Sequence, residues 1–402
     1  MKLLIIGAGV VGRSYAAAAA AMPSITGLIV ADLDLERARA AAAPLGAEAL
    51  QLDVMDTAML VRAIEGADIL GSAIGPATRF GNTVLEGAIA AGRPYVEIGD
   101  DPGPTLKMLD LNQRAQDARV NAVLGLGASP GITNMLAVAA VNELECVDRL
   151  ITAWGSGGKE DDGDDDDFDE GVTAALEHWV EQVSHPVPIW RDGRIIEVEP
   201  LEAIQLDYPG IGSVTTHLVG HPEAVTLPRR YPELVECLNV MNFSRYVIAS
   251  LEQVAVEVRS GRATFAKGAA ALADAFSSNA EDSLLSTKAA RYAYHASMDA
   301  LSGRNWLPEL CALAEGRIGE RRVRVGASLN GMVPGGMGPM TGVPAAVAVE
   351  LIAQGAVPGF GVRPAELALD ADAFFQTLRP HLRDPSGKPL SADTPTVNIA
   401  KN

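Results

Sequence analysis

Gly7, Gly9 and Gly12 stand in a GxGxxG spacing directly after an apolar run, and Asp32 closes the next apolar run twenty residues after Gly12. The first glycine permits a tight turn, the second lets the backbone approach a pyrophosphate, and the third lets helix and strand pack closely. Val10, Val11 and Gly12 then open a helix whose unpaired N–H groups and positive dipole end suit phosphate. Asp32 is spaced to accept from ribose hydroxyls. A 2′-phosphate beside it would want an arginine immediately after the strand, but Leu33 is there and Arg37 and Arg39 come later. The sequence therefore favours NAD, with NADP left open through Arg37. Asp53 and Val54 follow the third apolar run, where Asp53 can accept from an adenine amino group; Asp34 and Asp56 read as helix N-caps. Ala73, Ile74, Gly75 and Pro76 end the fourth run and are placed to line a nicotinamide, with a plain Gly-Pro turn as the lesser alternative for Gly75–Pro76.

Hydride transfer from an amine needs a neutral nitrogen, so a base nearby is useful. Glu97, Asp100 and Asp101, in YVEIGDD, end the fifth run. Glu97 and Asp100 are the catalytic candidates there; the alternative for Asp100–Asp101–Pro102 is capping of the next helix. Ser129, Thr133 and Asn134 begin a further helix and can bond a substrate carboxylate, with N-capping as the competing role for Ser129. In TTHLVGHPEAVTLPRR, His217 and His221 are candidate acid/base groups, His221 being preferred, and Arg229 or Arg230 a carboxylate clamp, Arg229 being preferred. A histidine on a sheet is more commonly a satisfied structural residue. Lys267 and Lys288 read as solvated surface lysines. No HExxH, CxxC or EF-hand spacing occurs, so no metal is expected, and Cys146, Cys237 and Cys311 read as inert thiols.

Elements must hold these residues. Strands are expected at 2–6, 27–31, 48–52, 69–73, 94–98 and 121–124. Helices are expected at 11–22, 35–43, 57–64, 82–91, 105–119 and 131–143. Such alternation makes βαβ units on a parallel sheet. Beyond them, PIWRDGRIIEV reads as a hairpin about Asp192–Gly193, 232–316 as helical, 321–329 as a strand and 343–354 as a helix. The fold class is α/β: an N-terminal Rossmann doubly wound parallel sheet plus a second α+β domain with a mixed or antiparallel sheet. The division is 1–130 for the dinucleotide domain, completed by about 340–385, 131–339 for substrate binding and dimerisation, and 386–402 as a tail.

Composition is that of a globular protein, with 48% hydrophobic and 21% charged residues in 402. Nine of the acidic residues behind a net charge of −19 lie in Glu160–Glu170, which reads as a solvated loop. With no basic stripe and no long apolar window, neither nucleic acid nor membrane is expected as a partner, and the location expected is cytoplasmic.

The stretches GAGVVG, LDVMD, SAIGPATRFGNTVLEGAIAAGRPYVEIGDD and GLGASPGITNMLA resemble the saccharopine dehydrogenase-like oxidoreductases, in particular the saccharopine reductase and lysine 6-dehydrogenase branches. The resemblance is densest over 1–140 and recurs in 341–367. It implies that Gly75–Pro76 sits by the nicotinamide, that Ser129–Asn134 bridges two domains at the active site, and that the second domain builds a homodimer. It also implies NAD(P)-dependent chemistry at the C–N bond of an amino acid or imine. Two alternatives stay open on the residues: an enoyl or keto reductase of acyl substrates, and a non-catalytic NAD(P)H-binding protein.

Overall fold

A computed structural model describes residues 1–158, 171–276 and 287–402; the acidic run Glu160–Glu170 lies essentially outside them. The chain divides into two compact units, Met1–Ala139 with Leu329–Asn398, and Ala140–Ser328 with Ile399–Asn402.

In the first unit, strands and helices alternate as β1 (Lys2–Ile6), α1 (Val10–Ala20), β2 (Gly27–Asp32), α2 (Leu35–Ala42), β3 (Glu48–Gln51), α3 (Thr57–Glu65), β4 (Ile69–Ser72) and α4 (Ala77–Ala91). They continue as β5 (Tyr95–Glu97), α5 (Pro102–Leu109), α6 (Asn112–Asp117), β6 (Asn121–Leu124) and α7 (Ile132–Val141). The expected single helix over 105–119 is thus two, broken at Asp110–Leu111. The second unit supplies β7 (Cys146–Gly155), α8 (Gly171–Ser184), β8 (Val187–Arg191), β9 (Arg194–Val198), β10 (Ala203–Tyr208) and β11 (Gly212–Leu218). It continues with α9 (Glu223–Arg230), β12 (Glu236–Asn242), α10 (Arg245–Arg259), α11 (Phe265–Phe276), α12 (Thr287–Ser302), β13 (Leu310–Ile318) and β14 (Arg321–Leu329). The chain then returns with α13 (Met337–Ala353), β15 (Gly361–Pro364), α14 (Ala365–Ala368) and α15 (Ala371–Leu378), and ends in β16 (Val397–Lys401).

The first sheet is parallel throughout, in the order β15-β6-β5-β4-β1-β2-β3. The order reverses at β1/β4, which opens a crevice beyond the strand ends. Leu3–Ile6 and Ile69–Ser72 are buried along their whole length, because helices cover both faces. α1 lies against α13 through small residues: a Cβ on Gly342 would meet the Tyr15 backbone nitrogen at 2.5 Å, and one on Gly338 would meet Ser14 Oγ at 2.8 Å. Glu350 of α13, buried, fastens this layer by accepting from the Ser24 backbone N–H and hydroxyl at 3.1 and 2.8 Å.

The second sheet is mixed, in the order β10-β11-β12-β7-β13-β14-β16, with the β8–β9 hairpin attached to β12. β12 runs parallel to β7, and its other pairings are antiparallel. Three sequence expectations are corrected here. The segment 232–316 is not helical throughout, since Glu236–Asn242 and Leu310–Ile318 are strands. Glu236–Asn242 is buried from its second residue on, and such an apolar run carries no period that separates strand from helix. The residues expected to form a tail include β16, which closes the edge beside β14. The helix expected from 343 begins at Met337, inside the Gly/Pro-rich segment, with Pro344 in its interior.

Candidate functional site

The glycine turn is built as the spacing requires. Gly7 has φ of 100°, and a Cβ there would meet the Ala73 carbonyl oxygen at 2.6 Å. A Cβ on Gly12 would meet the Gly7 carbonyl oxygen at 1.8 Å, so strand end and helix touch backbone to backbone. Gly9 differs: nothing lies within 4 Å of a Cβ built there, and it is the N-cap of α1 with no side chain capping the first turn. Val10, Val11 and Gly12 therefore present N–H groups that the helix itself does not use. α4 begins the same way, with Pro76 as N-cap, no side-chain cap, and open space about Gly75. Ala73 ties back to β1, its N–H bonding the Ile6 carbonyl at 2.8 Å, and Ile74 packs at the edge of the core under the crevice. The open cradle and two uncapped helix starts fit a dinucleotide.

Asp32 sits at the end of β2. Its Oδ2 accepts from the Ala8 N–H at 2.8 Å and its Oδ1 from the Asp34 N–H at 2.9 Å, so it fixes the glycine turn. Asp34 and Asp56 are N-caps, as expected. Asp53 Oδ1 accepts from the Met55 N–H at 2.9 Å, a local turn bond, while Val54 is buried in the core.

Glu97 is buried, and its two oxygens accept from backbone N–H groups on either side: Gly125 at 2.7 Å and Gly99 at 2.6 Å. The carboxyl therefore ties the end of β5 to the end of β6. Burial pushes its pKa up to about 7; the two N–H bonds pull it down, and Asp100 and Asp101 push it further up. Tyr15 and Tyr95, fully buried, pack in the same region, and burial first and the Glu97 charge second hold both phenols protonated. Nothing in the sequence flagged these tyrosines, which sit in an alanine-rich helix and a three-residue strand. Asp100 is half-buried, and Asp101 takes the N-cap position of α5 without a side-chain cap bond.

Asn134 is held at both ends of its amide, with Oδ1 accepting from the Gly131 N–H at 2.8 Å and Nδ2 donating to Glu366 at 2.9 Å. Asn134, Thr133 and Glu366 are all essentially inaccessible, and Ser129 is half-buried. Asn134 thus shapes the turn into α7. Glu366 was not legible because its partner lies 232 residues away in sequence.

In the second unit His221, buried, stacks on Trp154 with ring centroids 5.4 Å apart and planes at 7°. Beneath it, Asn239 accepts from Trp154 Nε1 at 3.2 Å and donates to Thr152 at 2.8 Å and to Glu223 at 3.1 Å. This polar set on β7, β12 and α9 was missed, since single polar residues inside apolar runs give no pattern. Arg229 and Arg230 are exposed in the last turn of α9. Lys267 is exposed, and none of the three cysteines is in a disulfide.

The profile of the saccharopine dehydrogenase NADP-binding domain matches residues 3–123. Residues 3–123 are a saccharopine dehydrogenase-type dinucleotide-binding domain. The chain is 24% identical over 267 residues to carboxyaminopropylagmatine dehydrogenase of Synechocystis, covering 62% of this chain and 64% of that enzyme, so the match spans just under two thirds of the relative. Among solved structures, the saccharopine dehydrogenase (L-Glu forming) of Saccharomyces cerevisiae superposes with a TM-score of 0.63 at 18% identity, over 95% of this chain and 98% of that one. Homospermidine synthase of Legionella pneumophila, solved with NAD, gives 0.55 at 11% identity over 100% and 91%. These structures share the α/β fold of this chain.

Proposed function

We propose that the chain is an NAD(P)-dependent oxidoreductase acting at the C–N bond of an amino acid, an imine or a polyamine-related amine. The observation that carries this is the glycine cradle, with open space at Gly9, an uncapped α1 and Asp32 bonded to the Ala8 N–H. The substrate class is supported by the carboxyaminopropylagmatine dehydrogenase relative. NAD is the preferred cofactor: Leu33 follows Asp32, and Arg39 is paired with Glu36 at 2.6 Å. A dinucleotide held there would supply the hydride chemistry at the carbon bearing the nitrogen. The protein's part is to hold the pyrophosphate on the α1 N–H groups, keep the strand ends rigid through Glu97, and remove the amine proton. Asp100 and His221 are the groups proposed for that proton, Glu97 being committed to Gly99 and Gly125. Ala73–Pro76 is proposed to border the nicotinamide and Ser129–Asn134 the substrate, and the second unit is proposed to build a homodimer. Among the described residues no helix is long and apolar enough to cross a membrane.

Fluorescence titration with NADH and NADPH tests the reading. Tighter NADH binding that weakens about tenfold or more in Asp32→Ala is expected, from loss of a charge-assisted hydrogen bond. Micromolar binding of neither nucleotide would remove the enzyme assignment.

A further inference from the structure

The second unit carries an open pocket of about 440 Å³ over one face of β10 and β11, walled by the start of α10 and the end of α12. Its chemistry differs from the apolar packing around it. Ser213, Thr215 and His217 alternate along β11 toward the cavity, and Arg245, Glu252, His295 and Arg304 complete the charged wall. Arg304 Nη1 donates to Asp299 at 3.2 Å, while Arg245 Nε lies 2.9 Å from the same oxygen. One carboxylate thus holds two guanidiniums side by side, which like charges would not adopt alone.

Among the described residues, two nitrogens on this wall lack a hydrogen-bond partner: His217 Nδ1 and Arg304 Nε. The Arg304 side chain is only 7% exposed, and a buried donor left unmade is costly. Around His217 the charged and titratable groups are Arg245 and Glu252 from α10, His295 and Asp299 from α12, and Arg304 beyond it. Burial foremost, then Arg304 and Arg245, lower the His217 pKa to about 4, so the ring is neutral at neutral pH.

We propose that this cavity is a binding site for a small organic carboxylate, seated between Arg245, Arg304 and His217 and bonded by the β11 hydroxyls. An ionised carboxylate supplies acceptors for the two nitrogens left without one, His217 Nδ1 and Arg304 Nε, and the planar Arg245 guanidinium at the mouth matches its two oxygens. The site stands on residues of the second unit alone and does not depend on the oxidoreductase reading. The arginines expected from sequence to clamp a carboxylate, Arg229 and Arg230, are exposed on α9; the pair that faces a cavity is Arg245 and Arg304.

Because an anion raises the pKa of a neighbouring histidine, binding is linked to proton uptake by His217. Calorimetric titration of the full-length protein with pyruvate, whose carboxylate stays ionised throughout, is the test. Expected are binding about tenfold tighter at pH 5 than at pH 7.5, weakening of about tenfold in Arg245→Gln, and loss of the pH dependence in His217→Asn. Glu252→Gln, which removes a repelling charge, should bind pyruvate at least as well as the parent. Arg245 is half exposed, so its variant should melt with the parent. Absence of pyruvate binding, equal binding of uncharged methyl pyruvate, or equal affinity in Arg245→Gln each overturns the proposal.

Discussion

At the residue scale, the three motif glycines do different work, and substitution should separate them. Gly9→Ala adds a Cβ into open space, so the melting temperature should stay within about 1 °C while dinucleotide affinity falls about tenfold or more, because the methyl occupies the phosphate's approach. Gly12→Ala drives a Cβ into the Gly7 carbonyl and should cost both binding and stability. Equal melting temperatures for the two variants would sink the distinction. Glu97 gives a pH signature. Its folded pKa, about 7, lies above the ordinary 4.5, so the folded state holds a proton that the unfolded chain has lost between these values. Stability from this group is therefore complete below about pH 4.5 and falls as pH rises to 7, by roughly 3 kcal/mol in all. Urea unfolding between pH 4.5 and 7.5 should show a shallower decline in Glu97→Gln than in the parent. Identical slopes would mean that Glu97 stays ionised throughout. Residue types in the motif were legible because glycine spacing is a backbone requirement; Tyr15, Asn239 and Glu366 were not, because their roles come from partners brought together by folding.

At the element scale, α1 and α13 are far apart in sequence yet pack through Gly338 and Gly342. Gly342→Leu should destabilise the first unit by about 1–3 kcal/mol or more, since the Tyr15 backbone cannot give way. Chemical denaturation followed from the first unit measures this, and an unchanged midpoint would refute the close approach. The βαβ elements were legible from alternating apolar runs and breakers, down to the Asp34 and Asp56 caps. β12 and β13 were not, for a short buried strand and a buried helix segment look alike until neighbours arrive. β12 has β7, β8 and β11 for neighbours, and that pairing decides it.

At the scale of the whole molecule, the first unit is made of 1–139 and 329–398, and the last strand belongs to the other sheet. Stopping the chain after Thr396 should uncover the β14 edge and remove the Lys401–Glu143 ion pair, lowering the melting temperature and promoting association. Light scattering together with a melting curve would read this, and a monodisperse chain of parental stability would contradict it. The sequence by itself determined the glycine turn, the alternation of strands and helices through the first 141 residues and the family resemblance, because these rest on local backbone demands and repeated short-range patterns. Only the tertiary structure decided which carboxylates are spent on backbone N–H groups, which helix seals α1, and which arginines face a cavity. Those outcomes depend on contacts between segments tens to hundreds of residues apart, and no local pattern records them.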